Sequence, residues 1–146
     1  LEFRRVLFRS KDGTIDAVVS DHRPEDVEHK VLEFGAAAFG AIGLETSYSA
    51  ANTAMQGRMS TRRIVERFCQ GPRKVLGLPV PHLEEGAEAE ITLFDPAMDH
   101  VFAPSDLRSR ARNTPFIGQR FVGRPLGIVA RGKAVLSSAL ASAAVR

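Results

Sequence analysis

The chain has 146 residues, 44% of them hydrophobic and 25% charged, which suits one globular domain and excludes a disordered polypeptide. A formal charge of +3 and a pI near 9.5 would ordinarily suggest a nucleic-acid surface. Two of those three charges come from the first ten residues, where Arg4, Arg5 and Arg9 face only Glu2. The remaining candidates, Arg108, Arg110, Arg112, Arg120 and Arg124, lie among loops and short strands without interleaved aromatics for base stacking, so no nucleic-acid partner is expected.

No apolar run approaches the roughly 18 residues that a membrane helix needs, and the N-terminus lacks a signal-peptide pattern. Cys69 is the only cysteine and has no internal disulfide partner. Together these features set the expectation of a cytoplasmic protein with no membrane partner.

Residues 1–10 (LEFRRVLFRS) show neither helical nor strand periodicity. They read as the translation of a short-read sequencing adapter, whose CTC-TTC-CGA-TCT end encodes Leu7-Phe8-Arg9-Ser10. The expectation is a non-native segment making no specific contacts, with the native chain starting near Lys11 and truncated upstream.

After a turn at residues 11–14, residues 15–20 (IDAVVS) form a predicted strand. Its continuous apolar, β-branched character is that of a strand buried on both faces of a parallel sheet. It stops at Ser20-Asp21-His22-Arg23-Pro24, polar residues of the kind that α/β barrels place past their strand ends for chemistry. One helical turn is predicted within residues 25–30, then an Ala/Gly-rich loop over 34–43. A helix over 44–55 would bury Leu44, Tyr48, Ala51 and Met55. A second helix over 62–69, capped by Ser60 or Thr61, would bury Ile64, Val65 and Phe68, with Cys69 as a small buried hydrophobe. A third short helix over 73–78 stops at Gly77.

From residue 79 the pattern becomes β. Residues 88–94 alternate as a strand ending in a turn at Asp95-Pro96, and 100–102 form another. Segments 121–123, 127–130 and 133–136, with a tight turn at Arg131-Gly132, complete a small antiparallel set. Residues 137–146 read as a flexible tail. A lone parallel strand has no hydrogen-bonding neighbours, so the rest of its sheet must come from outside this stretch.

The stretch Ile15 to Pro24 (IDAVVSDHRP), then Ile42-Gly43-Leu44-Glu45-Thr46, resembles the eighth barrel strand and following loop of dihydroorotases. Residues 86–96 (GAEAEITLFDP), Asn113-Thr114-Pro115-Phe116 with Gly118, and 129–135 (VARGKAV) resemble their small β-domain, in the family order. Several of these motifs are shared with allantoinases and hydantoinases. The resemblance implies an α/β fold: the C-terminal part of a (β/α)₈ barrel, its last strand and following helices over residues 11–78, plus part of a small β-sandwich over 79–136. It implies reversible hydrolysis of dihydroorotate to N-carbamoyl-aspartate in pyrimidine biosynthesis. It also implies one or two zinc ions, held mostly by histidines of earlier strands, which lower the pKa of water and polarise the scissile carbonyl.

Asp21 matches the family's strand-8 aspartate, which ligates the metal and serves as general base; the bland alternative is an Asx-turn before Pro24. His22, adjacent but differently directed, is expected to be a structural hydrogen-bonder. Phe39 and Gly40 match a loop whose backbone contacts the substrate ring, against ordinary loop packing as the alternative. Glu25 departs from the pattern, standing where the commoner dihydroorotases carry a histidine for a substrate carboxylate. His29, His82 and His100 have no ligand-like spacing and are expected at the surface or on strand edges. A non-catalytic dihydroorotase-like subunit scaffolding aspartate carbamoyltransferase is the competing reading, and a homo-oligomer is the other possible assembly.

Overall fold

The computed structural model describes residues 9–10, 12–137 and 140. In chain order the elements are α1 (Val27–Lys30), α2 (Ser47–Met55), α3 (Thr61–Phe68), α4 (Gln70–Val75), β1 (Ile91–Val101), a 3₁₀ turn (Pro104–Asp106), β2 (Arg120–Ala130) and β3 (Lys133–Leu136). The strands form an antiparallel sheet ordered β1-β2-β3.

The two long strands merge what the sequence divided. Asp95-Pro96 has real turn chemistry, with Asp95 Oδ1 accepting from the Ala97 amide at 2.8 Å. That turn is nested in a continuous ladder as a bulge between the Asp95–Arg124 and Asp99–Val122 pairs. Proline has no N–H to give a ladder, so Pro96 sits within the bulge and Pro125 beside the neighbouring register shift. Arg131 and Gly132, with φ of 51° and 69°, make the expected tight turn into β3.

Helix α2 packs against β2 with a face that overlaps the predicted one at Met55, while Tyr48 and Ala51 are half-buried. Ser49, Asn52 and Met55 are its buried residues, while Leu44 lies before the helix and is 64% exposed. The reason is polar. Asn52 Nδ2 donates to the carbonyls of Pro96 (3.1 Å) and Val122 (2.8 Å) at the bulge, and Thr53 Oγ1 accepts from the Val122 amide at 2.8 Å. Strand irregularities leave polar backbone groups that need partners, and α2 supplies them. Tyr48 adds a tilted ring contact with Phe94 at 4.9 Å.

Ser60 caps α3 by accepting from the Arg63 amide at 3.5 Å, as the sequence predicts. Ile64 is buried, whereas Val65 and Phe68 are only half-buried along an open cleft of about 540 Å³. Cys69 is exposed, against expectation, because it falls in the junction between α3 and α4 where the helical stripe ends. His100 lies on β1, an edge strand of the sheet as expected, but is half-buried there, with its ring 6.0 Å from Phe121. Burial, aided by Arg124, holds its pKa below the usual 6.5.

Residues 15–20 are not a paired strand. The Val18 amide makes a ladder-like bond to the Arg67 carbonyl at 2.9 Å, and Val19 is 74% exposed. A strand exists through its neighbours, and the described residues offer none here. Residues 1–8 lie outside the described residues, but Arg9 and Ser10 do make contacts, correcting that part of the expectation. Ile15 donates to the Arg9 carbonyl (3.1 Å) and Arg67 Nη2 to the Ser10 carbonyl (3.3 Å), with Ser10 buried. Both bonds use main-chain carbonyls, which any residue supplies. Among the described residues, no helix is long and apolar enough to cross a membrane.

Candidate functional site

Three stretches distant in sequence meet around residues 20–25. The first carries Asp21, whose φ of 43° places it in the left-handed region. Aspartate tolerates that region better than most side chains, and such outliers concentrate at functional sites. The Asp21 carboxylate is 72% exposed, and its Oδ1 accepts from Arg23 Nε at 3.0 Å. An ion pair this exposed is worth about 0–1 kcal/mol, so it leaves the carboxylate free to exchange partners.

The second stretch is the loop over residues 38–44. His22 forms a parallel bridge with Ala41, and the Arg23 amide donates to the Ala41 carbonyl at 3.0 Å. His22 Nδ1 accepts from the amides of Gly43 (3.1 Å) and Leu44 (3.3 Å). An imidazole accepting at Nδ1 carries its proton on Nε2 and has no second lone pair for a metal. His22 is therefore the structural hydrogen-bonder that the sequence suggests. It tethers the Asp21 segment to the Ile42-Gly43-Leu44-Glu45-Thr46 motif.

Phe39 is 82% exposed and Gly40 has a φ of +111°. A Cβ on Gly40 would lie 2.6 Å from Arg23 Cβ, so glycine is required both by conformation and by the close approach of the Asp21 segment. The Gly40 and Ala38 carbonyls accept from Lys30 Nζ at 3.0 and 2.7 Å, which ties this loop to α1. Asp21, Phe39 and Gly40, all marked by the same resemblance, thus fall on two stretches that touch. A cleft of about 370 Å³ opens at His22, lined also by Leu44, Glu45, Arg108 and Ser109. Glu45 shapes its wall by accepting from the Arg108 (3.2 Å) and Ser109 (2.7 Å) amides.

The third stretch enters through Asn113. Its Nδ2 donates to the Arg23 carbonyl (2.9 Å) and the Gly40 carbonyl (3.3 Å), and its Oδ1 accepts from the Glu25 amide (3.2 Å). The Asn113 carbonyl accepts from the Ile42 amide at 3.0 Å. Asn113 was visible in the sequence only as a motif letter, because its side-chain partners are 73 to 90 residues away. Lys30, in a charged surface stretch, gave no signal at all.

Glu25 directs its carboxylate to His29, with Oε2 3.6 Å from Nδ1. Among the described residues no three His, Cys, Asp or Glu side chains gather closely enough to hold a metal ion. Asp21 offers a single accessible carboxylate, fit to be one ligand of a set.

Compared with known proteins, the chain is 40% identical over 125 residues to the dihydroorotase of Anaeromyxobacter dehalogenans (strain 2CP-C), an alignment covering 85% of the chain and 29% of that protein. The dihydroorotase of Chlorobaculum tepidum is 37% identical over 128 residues, covering 86% and 29%. Its curated homologues are dihydroorotases. No family model matches the chain. The chain spans under a third of the length of these relatives. Among solved structures, an L-hydantoinase (dihydropyrimidinase) from Arthrobacter aurescens superposes with a TM-score of 0.79 at 33% identity, covering 91% of this chain and 31% of that one. A D-hydantoinase (dihydropyrimidinase) from Thermus sp. gives 0.78 at 25% identity, with the same coverage. The fold is thus a small α/β piece with a three-stranded sheet, shared with the hydantoinase neighbours.

Proposed function

We propose that this chain is the C-terminal part of a dihydroorotase, carrying the last strand and following helices of the barrel and part of a small β-sandwich. The complete protein would hydrolyse dihydroorotate reversibly to N-carbamoyl-aspartate. The observation that carries this reading is Asp21: an exposed carboxylate in a left-handed conformation, tethered through its neighbours to the Phe39–Gly40 loop.

In this reading Asp21 has two tasks. It donates one carboxylate ligand to a zinc site of one or two ions whose other ligands come from residues outside this chain. When bound, zinc supplies Lewis acidity toward water and toward the ring carbonyl. Asp21 accepts the proton of the attacking water and passes it to the ring nitrogen as the amide C–N bond breaks. The Phe39 and Gly40 backbone orients the ring. Glu25, engaged with His29, brings no cation to a substrate carboxylate. That is the observation favouring the second reading, a non-catalytic subunit assembling with aspartate carbamoyltransferase.

The test is turnover by the complete, zinc-loaded protein offered dihydroorotate, hydantoin and dihydrouracil. The expected result is the highest kcat/KM with dihydroorotate. A preference for hydantoin or dihydrouracil would move the assignment to the hydantoinases, and no turnover of any would favour the scaffold.

A further inference from the structure

We infer that Asn113 is a positioning residue, setting the Asp21 segment against the Phe39–Gly40 loop. The inference rests on the proposed function for its kinetic meaning, but its structural content stands separately. Asn113 binds three separate main-chain groups through one planar amide: the carbonyls of Arg23 and Gly40 and the amide of Glu25. Its own carbonyl takes a fourth, the Ile42 amide. Two of these groups, on Arg23 and Glu25, lie within four residues of Asp21 on its C-terminal side, and the other two flank Ala41.

The chemistry demands this residue type. Holding two carbonyls and one amide at once needs two donors and an acceptor on a short rigid stem, which asparagine alone provides. Aspartate would keep the acceptor for Glu25 but turn a carboxylate oxygen toward two carbonyl oxygens. Alanine would leave all three groups without this partner. Of the three, Gly40 keeps Lys30 as a second donor, so the loss falls mainly on the Arg23–Glu25 segment. That segment begins two residues after Asp21, whose strained φ has to be held by its surroundings. Because the bonds go to backbone, they fix the geometry of the loops without touching a reacting atom.

The experiment compares the complete zinc-loaded protein with Asn113→Asp and Asn113→Ala, at a temperature where circular dichroism and zinc content match the parent. A misplacement of about 1 Å costs catalysis on the order of 100-fold, so kcat/KM for dihydroorotate should fall by roughly that factor in both variants. A residue important for stability alone would lower the melting temperature and leave kcat/KM of the folded protein unchanged. Variants within about twofold of the parent in kcat/KM therefore overturn the inference. In parallel, amide hydrogen exchange is read at Glu25, whose amide donates to Asn113 Oδ1. In Asn113→Ala the loss of that bond should speed it by roughly fivefold or more. If the parent itself turns over no dihydroorotate, the proposed function fails, and exchange alone decides the role of Asn113. Faster exchange confined to residues 22–25 and 40–42 supports it, and unchanged rates overturn it.

Discussion

Replacing Gly123 by alanine should be among the most damaging small changes in the β-part of the chain. Gly123 is buried in β2 with φ +93°, and a Cβ there would lie 2.5 Å from Asn52 Nδ2 and 3.0 Å from its Cγ. The backbone term alone is about 1–3 kcal/mol for a non-glycine residue held in that region. The clash also displaces Asn52, which is 6% exposed and bonded to the Pro96 and Val122 carbonyls. Those two bonds contribute about 0.5–1.5 kcal/mol each, and water has little access to replace them. The expected loss is therefore about 2–6 kcal/mol. Asn52→Ala alone should cost about 1–3 kcal/mol by the bonds it removes. In the double variant the clash is gone while the backbone strain remains, so the two losses should fall short of additivity by about 1–3 kcal/mol, the bonds that both single variants lose. Urea unfolding of the complete protein, followed by circular dichroism, gives all three values. A Gly123→Ala loss below about 1 kcal/mol, or strict additivity in the double variant, would refute this account of the α2–β2 junction.

The 146-residue chain expressed alone should show no amidohydrolase activity and should self-associate, since Phe34 (94%), Leu83 (88%) and Phe39 (82%) are so exposed. Light scattering and a dihydroorotate assay check this, and a monodisperse, active chain would contradict it. His100 should make stability fall as pH drops below about 6.5. Its folded pKa lies below the unfolded value, so in that window the unfolded state binds a proton that the folded state does not. Thermal melts across this range should flatten in His100→Gln, and an unchanged slope would remove His100 as the cause. Glu25→His should lower KM for dihydroorotate or leave it unchanged, because a negative charge near the substrate carboxylate is removed. A raised KM with unchanged kcat would show that the Glu25–His29 contact supports binding.

Elements governed by local signals were legible in the sequence. The Ser60 cap, the Arg131-Gly132 turn and the change from helices to strands after residue 79 all follow from neighbouring residues. Features set by distant partners were not. The predicted α2 face held at Met55 but missed Asn52 and Thr53, because they reach a bulge carbonyl and amide about 70 residues away. The break expected at Asp95-Pro96 dissolved into a bulge because β2 bridges it. At the candidate site, Asp21, Phe39 and Gly40 were marked by the resemblance to dihydroorotases, and Asp21 and His22 also by the polar cluster that ends the predicted strand. Asn113 and Lys30 could not be assigned roles, since both act on backbone groups that no sequence pattern marks.

The central claim is that Asp21 is the acid–base group and a metal ligand of a dihydroorotase, and Asp21→Asn in the complete protein tests it most directly. Asparagine keeps the side-chain size and a carbonyl oxygen for the metal but cannot take up the proton. Acid–base groups contribute about 10²–10⁴-fold to rate, so kcat for dihydroorotate should fall by that order while zinc content falls much less. A variant that hydrolyses dihydroorotate at the parent rate would contradict the claim.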